Sequence, residues 1–464
     1  MELHITLHGR GDLTARIYRQ LRDAIRDGRL RPGERLPPTR ELAKRLDVSR
    51  NTVAAAYDRL TAEGFLTGKV GSGTFVGAQP VRRARSAPKG GIQPRKTWRA
   101  MPGQVLTTPP RTAYDFQVGV PDGRLFPLET WRRLLAREWR ATATRHANYG
   151  DPEGHPGVRE AIARHIGVSR SVRAGADDVL VTQGAQQALD LIARVLLDPG
   201  SVVAVEEPGY PPARNLFQSL GAAVVGVPVD AEGIDVTALP HRTRLVYVTP
   251  SHQFPLGTPM SLARRTALLG WAQRHNAVII EDDYDSEFRF TDRPLEPLQS
   301  LDRAGRVIYV GSFSKTLLPM LRLGFLVAPT SLRPALRLAK QLTDWHGDLL
   351  TQAALARFID DGLLARHLRK ATRVYASRHE LIVGTLQRDF PELTPVPSVA
   401  GLHVCARAAT DLDQVVRRAA AYGVTVRTLG RFCHDVPQPG LVIGYGAIQS
   451  EDLPTGLERL RASF

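Results

Sequence analysis

Lys315 and the groups around it (Ser312, Ser314 and Arg322) carry the densest chemistry in the chain. They lie in residues 311–324, GSFSKTLLPMLRLG, directly after RVIYV at 306–310, a β-branched and aromatic run that predicts a buried strand. A lysine behind a strand is ordinarily a solvated surface residue. What singles this one out is its company. An amine can hold an aldehyde cofactor as a Schiff base. Pyridoxal phosphate then requires a carboxylate at its pyridine nitrogen, donors and cations for its phosphate, and an aromatic face over its ring. Residues 277–288, AVIIEDDYDSEF, read as an apolar strand ending in carboxylates and a tyrosine. Residues 179–191, VLVTQGAQQALDL, read as a strand that breaks at Gly184 and opens an amphipathic helix, whose free N–H groups suit a phosphate. Between them, Glu207-Pro-Gly-Tyr210 offers a turn carrying an aromatic ring.

The elements that must position these groups occupy the chain from residue 113 onward. Strand-like runs at 179–181, 202–205, 245–248, 278–280, 307–310 and 325–327 alternate with helical ones. That alternation predicts an α/β domain around a mostly parallel sheet, with the site at the strand ends. After Pro329, residues 331–358 and 362–386 read as long helices. Strand-like runs at 402–406 and 424–427 suggest a smaller C-terminal lobe spanning about 330–464.

The chain has 464 residues, more than a single core of roughly 250–300 supports. No apolar run approaches the ~20 residues of a membrane span, and residues 1–10 have no signal-peptide core. Cys405 and Cys433 give no disulfide framework, and a cytoplasmic location is expected. The net charge of +16 is uneven. Residues 1–112 hold 22 Lys/Arg against 9 Asp/Glu, a net of +13, and the remainder holds 40 against 37. Such a concentration is the footprint of a nucleic-acid-binding module.

That first quarter is patterned accordingly. Residues 13–27 place Leu13, Ile17, Leu21, Ala24 and Ile25 on one helical face. A short helix at 40–46 and a turn at 47–49 follow. Ser49 then caps a third helix, 50–63, with core face Val53, Ala56, Tyr57 and Leu60. Strand-like runs around residues 68–73 predict a hairpin. Three helices and a hairpin make a winged helix-turn-helix over residues 1–76. Residues 77–112 contain no acidic residue and eight Lys/Arg, and read as a basic, flexible or semi-extended linker to the domain at 113–464.

Residues 28–76, GRLRPGERLPPTRELAKRLDVSRNTVAAAYDRLTAEGFLTGKVGSGTFV, resemble the DNA-binding domain of the GntR family of bacterial regulators. The resemblance implies contacts to double-stranded operator DNA from Arg40, which opens the second helix, and from Ser49, Arg50 and Thr52, which open the third. The wing glycine Gly71 would lie near the minor groove. From Tyr114 to the end the chain resembles the fold-type-I aminotransferases. The fusion of the two resembles the MocR/GabR-type regulators, through YGDPEGHPGVREAI, TQGAQQALDL, EEPGY, TPSHQFPLGT, EDDYDSEF and SFSKTLLPMLRLG.

This second resemblance implies that Lys315 carries pyridoxal 5'-phosphate as a Schiff base and that Asp282, rather than Asp283, pairs with the pyridinium nitrogen. Tyr284 would hydrogen-bond the ring oxygen, and Tyr210 would stack on the ring. Gly184, Ala185, Gln186, Ser312, Ser314 and Arg322 would hold the phosphate. Tyr149 would reach the phosphate of the other subunit, which implies a homodimer. Two departures stand out. Phe254 replaces the asparagine that aminotransferases keep before Pro-Thr-Gly, and residues 441–447, LVIGYGA, carry no arginine to clamp a substrate carboxylate. Arg427 or Arg431 could substitute, and either could equally be a surface charge. The resulting reading is a pyridoxal-phosphate-dependent transcriptional regulator that senses an amino compound or pyridoxal phosphate. It would be associated with the nucleoid when bound to DNA, with weak or absent transaminase turnover. The rivals are an active aminotransferase with an accessory DNA-binding domain, and a regulator that has lost the cofactor.

Overall fold

The computed structural model describes residues 5–7, 12–69, 72–77, 92–101, 112–142, 148–290 and 296–464. The chain divides into two compact units, Met1–Pro94 and Arg95–Phe464.

In the first unit, helices Leu13–Arg26, Thr39–Leu46 and Arg50–Ala62 precede an antiparallel hairpin of Leu66–Lys69 and Gly73–Val76. Local chemistry sets the helix starts. The Asp12 carboxylate accepts from the Ala15 N–H at 3.2 Å and the Ser49 hydroxyl from the Thr52 N–H at 3.1 Å, each satisfying a donor that a helix end leaves unpaired. Asp47, at φ 52°, turns the chain between the second and third helices. Ile17, Leu21, Leu42, Val53, Ala56 and Leu60 close the core. This is the predicted winged helix. Gly71 and most of the expected linker lie outside the described residues. Where the linker is described it holds one element that its composition did not announce, a short helix at Lys96–Ala100.

The second unit is built on eight strands. Their spatial order is Val179–Thr182, Gly324–Val327, Val307–Ser312, Val278–Asp283, Thr243–Val248, Val202–Glu207, Ala223–Asp230 and Gly233–Ile234. The five from Val307–Ser312 to Ala223–Asp230 run parallel. Gly324–Val327 is antiparallel to both of its neighbours. Alternation along the central strands feeds two cores. Leu245 and Tyr247 pack on one face with the helix Ala185–Leu196, and Val246 and Val248 pack on the other with Leu268 and Trp271. The edge strands Ala223–Asp230 and Gly233–Ile234 were not expected. In the first of them only Val227 is fully buried among exposed and half-buried positions, so it lacks the continuous burial of a central strand.

The C-terminal region departs from the sequence reading in two ways. Residues 331–358 are not one helix. Arg333–Asp344 stops at Trp345, which sits at φ 64°, and Asp348 caps a new helix, Leu349–Asp360, by accepting from Leu350 N–H at 3.0 Å. Neither helix belongs to the small lobe. Leu336 packs into the sheet core, while Leu355 and Phe358 pack with Val158, Ile162 and Trp131. The small lobe is gathered instead by the later part of the long helix Leu363–Asp389, through Tyr375, Ile382 and Leu386. It is completed by a four-stranded sheet, Leu393–Pro395, His403–Ala408, Gly440–Gly444 and Arg427–Thr428. Phe116, from the start of the domain, is buried in the same core.

Candidate functional site

The site forms where strands end. Val278–Asp283 delivers two adjacent carboxylates to opposite faces of the sheet, and their environments separate them. Asp283 accepts from Arg170 Nε at 2.8 Å and from the Tyr309 hydroxyl at 2.7 Å. Burial pushes its carboxyl upward, but Arg170 and the hydrogen bonds outweigh it and hold the group below the usual carboxylate range. Asp282 has one partner, the Tyr247 hydroxyl at 2.7 Å to Oδ2, and its Oδ1 is buried with no hydrogen-bond partner among the described residues. Burial raises this carboxyl to about 7, against the hydrogen bond from Tyr247. Each carboxylate keeps a buried Oδ1 with no hydrogen-bond partner among the described residues, but Asp283 is ion-paired with Arg170, whereas Asp282 has only the neutral Tyr247 hydroxyl.

Lys315 lies just beyond the strand Val307–Ser312, and its Nζ donates to the Gly119 carbonyl at 2.6 Å. Burial holds its amine below the ordinary lysine range, with Asp285 and then Asp282 favouring the charged form. A side chain at Gly119, which has φ 77°, would meet Nζ at 2.9 Å, so the backbone there approaches the amine in a way only glycine permits.

A second glycine shapes the anion end. Gly184, at φ 80°, precedes the helix Ala185–Leu196, and a Cβ on it would lie 2.9 Å from Nη2 of Arg322. The guanidinium therefore rests against a helix N-terminus, whose free N–H groups already favour a negative charge. Arg322 itself sits at φ 51° and donates to the Gln183 carbonyl at 2.5 Å. Ser312 is buried, and its hydroxyl accepts from the Ser314 N–H at 3.1 Å. The Gln186 side chain is exposed, with Nε2 3.4 Å from the Pro212 carbonyl.

An aromatic wall completes the cluster. Tyr210 meets Phe254 edge-on at 5.5 Å, and Phe254 meets Tyr284 at 6.0 Å. Burial and then the Asp282 charge raise the Tyr210 hydroxyl to about 12. The Tyr284 hydroxyl donates to the His252 carbonyl at 3.0 Å. The structure thus gathers Lys315, Asp282, Tyr210, Tyr284, Ser312, Ser314, Arg322 and Gly184 at one end of the sheet. Three expected residues lie apart from these contacts. Tyr149 is 74% exposed and packs on Trp345 at 5.0 Å. Arg427 is half-buried between the opposing charges of Arg431 and Asp115, and Arg431 is exposed. Tyr247, His252, Asp285 and Gly119 were not singled out in the sequence. Asp285 stands inside EDDYDSEF and His252 inside TPSHQFPLGT, so the motifs held them without distinguishing them.

In the first unit, Arg40, Ser49 and Arg50 are exposed. The Thr52 hydroxyl pairs with that of Ser49 at 2.8 Å, at the start of the third helix. That is the helix end which a winged helix presents to the major groove.

Comparison with known proteins gives the class in two parts. Residues 13–76 match the gntR family of bacterial regulatory proteins, and residues 113–438 match the class I and II aminotransferases. The α-aminoadipate aminotransferase LysN of Thermus thermophilus superposes with a TM-score of 0.70 at 31% identity, covering 79% of this chain and 94% of that one. The fused arrangement has full-length relatives. The chain is 41% identical over 459 residues to the "Probable rhizopine catabolism regulatory protein MocR" of Rhizobium meliloti, covering 97% of this chain and 93% of that protein. It is 32% identical over 452 residues to the pyridoxine biosynthesis transcriptional regulator PdxR of Corynebacterium glutamicum, covering 96% and 94%. The chain belongs to the MocR-type transcriptional regulators, in which a GntR DNA-binding domain is joined to an aminotransferase-like domain whose cofactor is pyridoxal 5'-phosphate. Among the described residues no helix is long and apolar enough to cross a membrane.

Proposed function

We propose that the end of the sheet around Lys315 is the sensing site of this regulator and that it reads an amino compound, or pyridoxal phosphate itself, into DNA affinity. The observation that carries the assignment is the orphaned Oδ1 of Asp282: a carboxylate buried at this cost is stabilised once a protonated ring nitrogen pairs with it. When bound, the cofactor supplies an aldehyde carbon that holds an amine and a ring that withdraws electrons. Lys315 is the amine for that carbon, and its lowered basicity leaves a larger unprotonated fraction to react. Gly184, Ala185 and Gln186 offer their amides to the phosphate together with Ser312, Ser314 and Arg322. Tyr210 faces the ring, and Tyr284 serves its oxygen.

In the same reading Arg40, Ser49, Arg50 and Thr52 contact operator DNA. The exposed ring of Tyr149 serves the phosphate of a second copy. The relatives' names, one for rhizopine catabolism and one for pyridoxine biosynthesis, support both kinds of effector. The strand Gly440–Gly444 carries no arginine, so a substrate carboxylate depends on Arg427 or Arg431, neither of them held in a clamp. Turnover is therefore expected to be slow or absent. The deciding experiment screens amino acids and ω-amino acids with 2-oxoglutarate or pyruvate while operator binding is followed in parallel. A change in DNA affinity with some amino compound or with free pyridoxal phosphate supports the sensor. Robust multiple turnover with no effect on DNA sinks it in favour of the enzyme.

A further inference from the structure

The group that replaces the aminotransferase asparagine, Phe254, offers no donor. Its ring is packed edge-on among Tyr210, Tyr284 and Phe432, and it lies 5.4 Å from His403. A buried imidazole stands beside it instead. His252 is 1% exposed, and both of its ring nitrogens and its main-chain oxygen are engaged. Nδ1 lies 3.0 and 3.1 Å from the two oxygens of Asp285, Nε2 lies 3.1 Å from the Ser398 hydroxyl, and both Nδ1 and the main-chain oxygen lie 3.0 Å from the Tyr284 hydroxyl.

We propose that His252, held by Asp285, is the positioning residue for the Tyr284 hydroxyl and thereby supplies the control over the cofactor's ring oxygen that Phe254 cannot. The proposal rests on the reading that the Lys315 site holds pyridoxal phosphate with Tyr284 at the ring oxygen.

Nδ1–H is shared between the Asp285 carboxylate and the Tyr284 oxygen, and Nε2 pairs with the Ser398 hydroxyl, which also reaches the Ala400 carbonyl at 3.3 Å. The tyrosine oxygen is thus anchored by Nδ1–H, while its own hydrogen is free to turn from the His252 carbonyl to a nearby acceptor. Asp285 fixes the ring orientation that makes this possible, as carboxylates do for histidines elsewhere. Close backbone approach locks the pair. A side chain on Gly401, at φ 86°, would meet the His252 ring at 2.1 Å and Asp285 at 2.6 Å. One on Gly257 would meet Ser398 at 2.9 Å. Gly401 and Ser398 belong to the segment leading into the strand His403–Ala408, so the network ties the tyrosine to the small lobe. Asp285 is also the first charge acting on Lys315, ahead of Asp282 and Arg322. The ionisable groups that face this network include Glu206, Asp282, Asp283, Asp285, Arg322, Lys315, His379 and His403.

The test is a visible-absorbance pH titration of the full, cofactor-loaded chain. A hydroxyl donating to the ring oxygen weakens that oxygen's hold on the proton of the lysine linkage. Tyr284→Phe should therefore raise the midpoint by about one pH unit. His252→Ala should raise it in the same direction by a smaller amount, and the double variant should go no further than Tyr284→Phe alone. His252→Asn keeps a donor where Nδ1 stands and should titrate near wild type. His252→Gln keeps only the Nε2 end and should behave like the alanine variant. A merely structural histidine would lower cofactor occupancy without this same-sign, non-additive shift. An unchanged midpoint in His252→Ala beside a shifted Tyr284→Phe, or additive shifts, overturns the proposal. So does stoichiometric zinc in the wild type that Asp285→Asn removes, because His252, Asp285 and His403 lie close enough to act as ligands. A wild-type protein that stays colourless with excess cofactor would instead defeat the reading of the site on which the proposal rests.

Discussion

The two units of this chain use charge in opposite ways. On the winged helix the arginines that matter are held out in water: Arg40 and Arg50 are exposed, and the ion pairs nearby, such as Arg45 with Glu41, are surface contacts one helical turn apart. Pairs of that kind contribute little to stability, so such a surface is free to spend its charge on phosphates. At the end of the sheet the charges are buried. Burial pushes Glu206 and Glu281 up to about 7, like Asp282, and Glu287 to about 8, while Arg170 sits fully enclosed against Asp283. Exposed charge responds to salt and acts in sum. Buried charge responds to single atoms and to pH.

The largest expected effect tests the buried side. Lys315→Ala should abolish the visible absorbance of the cofactor-loaded protein and any adduct reducible by borohydride. Low-salt affinity for non-specific duplex should be unaltered, because the charge of the first unit is untouched. A borohydride-reducible adduct that persists in the variant would place the attachment elsewhere.

Next is Asp282→Asn. Removing one partner of a buried charge pair costs about 3–5 kcal/mol, so cofactor affinity should fall at least about 100-fold in equilibrium titrations. Without cofactor the sign reverses. The folded carboxyl is raised to about 7, whereas in the unfolded chain it titrates near ~4. The native state thus holds the proton more tightly. Stability present below pH ~4 is lost as pH rises towards 7, by up to about 4 kcal/mol from this group. Urea melts of cofactor-free Asp282→Asn should lack that part of the decline. Identical pH profiles in variant and wild type would remove Asp282 as its source.

The exposed side should yield smaller and more separable effects. Arg50→Ala and Arg40→Ala are each expected to cost about 1–3 kcal/mol in specific operator binding if they reach a base edge. An operator titration with unchanged affinity and sequence preference would return them to the surface. Smallest of all, Ser49→Ala removes the cap on the third helix and should lower the stability of the winged helix by about 1 kcal/mol, read as a shift in its thermal melt. A shift as large as that of Asp282→Asn would blur the distinction between the two regions.

The sequence by itself determined whatever depends on near neighbours. Ser49 as a cap follows from a hydroxyl three residues before an open N–H, and the winged helix from apolar spacing. The central strands follow from unbroken apolar runs, and the order of the cofactor motifs follows from where those strands stop. The carboxylates at the strand end were legible in the residues, but the choice of Asp282 over Asp283 rested only on resemblance to a family. The tertiary structure decided what depends on partners far along the chain. Arg170 and Tyr309 hold Asp283 as a paired carboxylate, and Tyr247 gives Asp282 a single neutral hydrogen bond. Those partners lie 113, 26 and 35 residues away, and no local pattern marks them. The same holds for His252, whose contact with Ser398 spans 146 residues, and for the helices at 333–360, whose apolar faces would have suited either lobe. Side-chain type is a local property, but the dielectric and hydrogen-bond partners that turn a carboxylate into a site are assembled only when the strands are laid side by side.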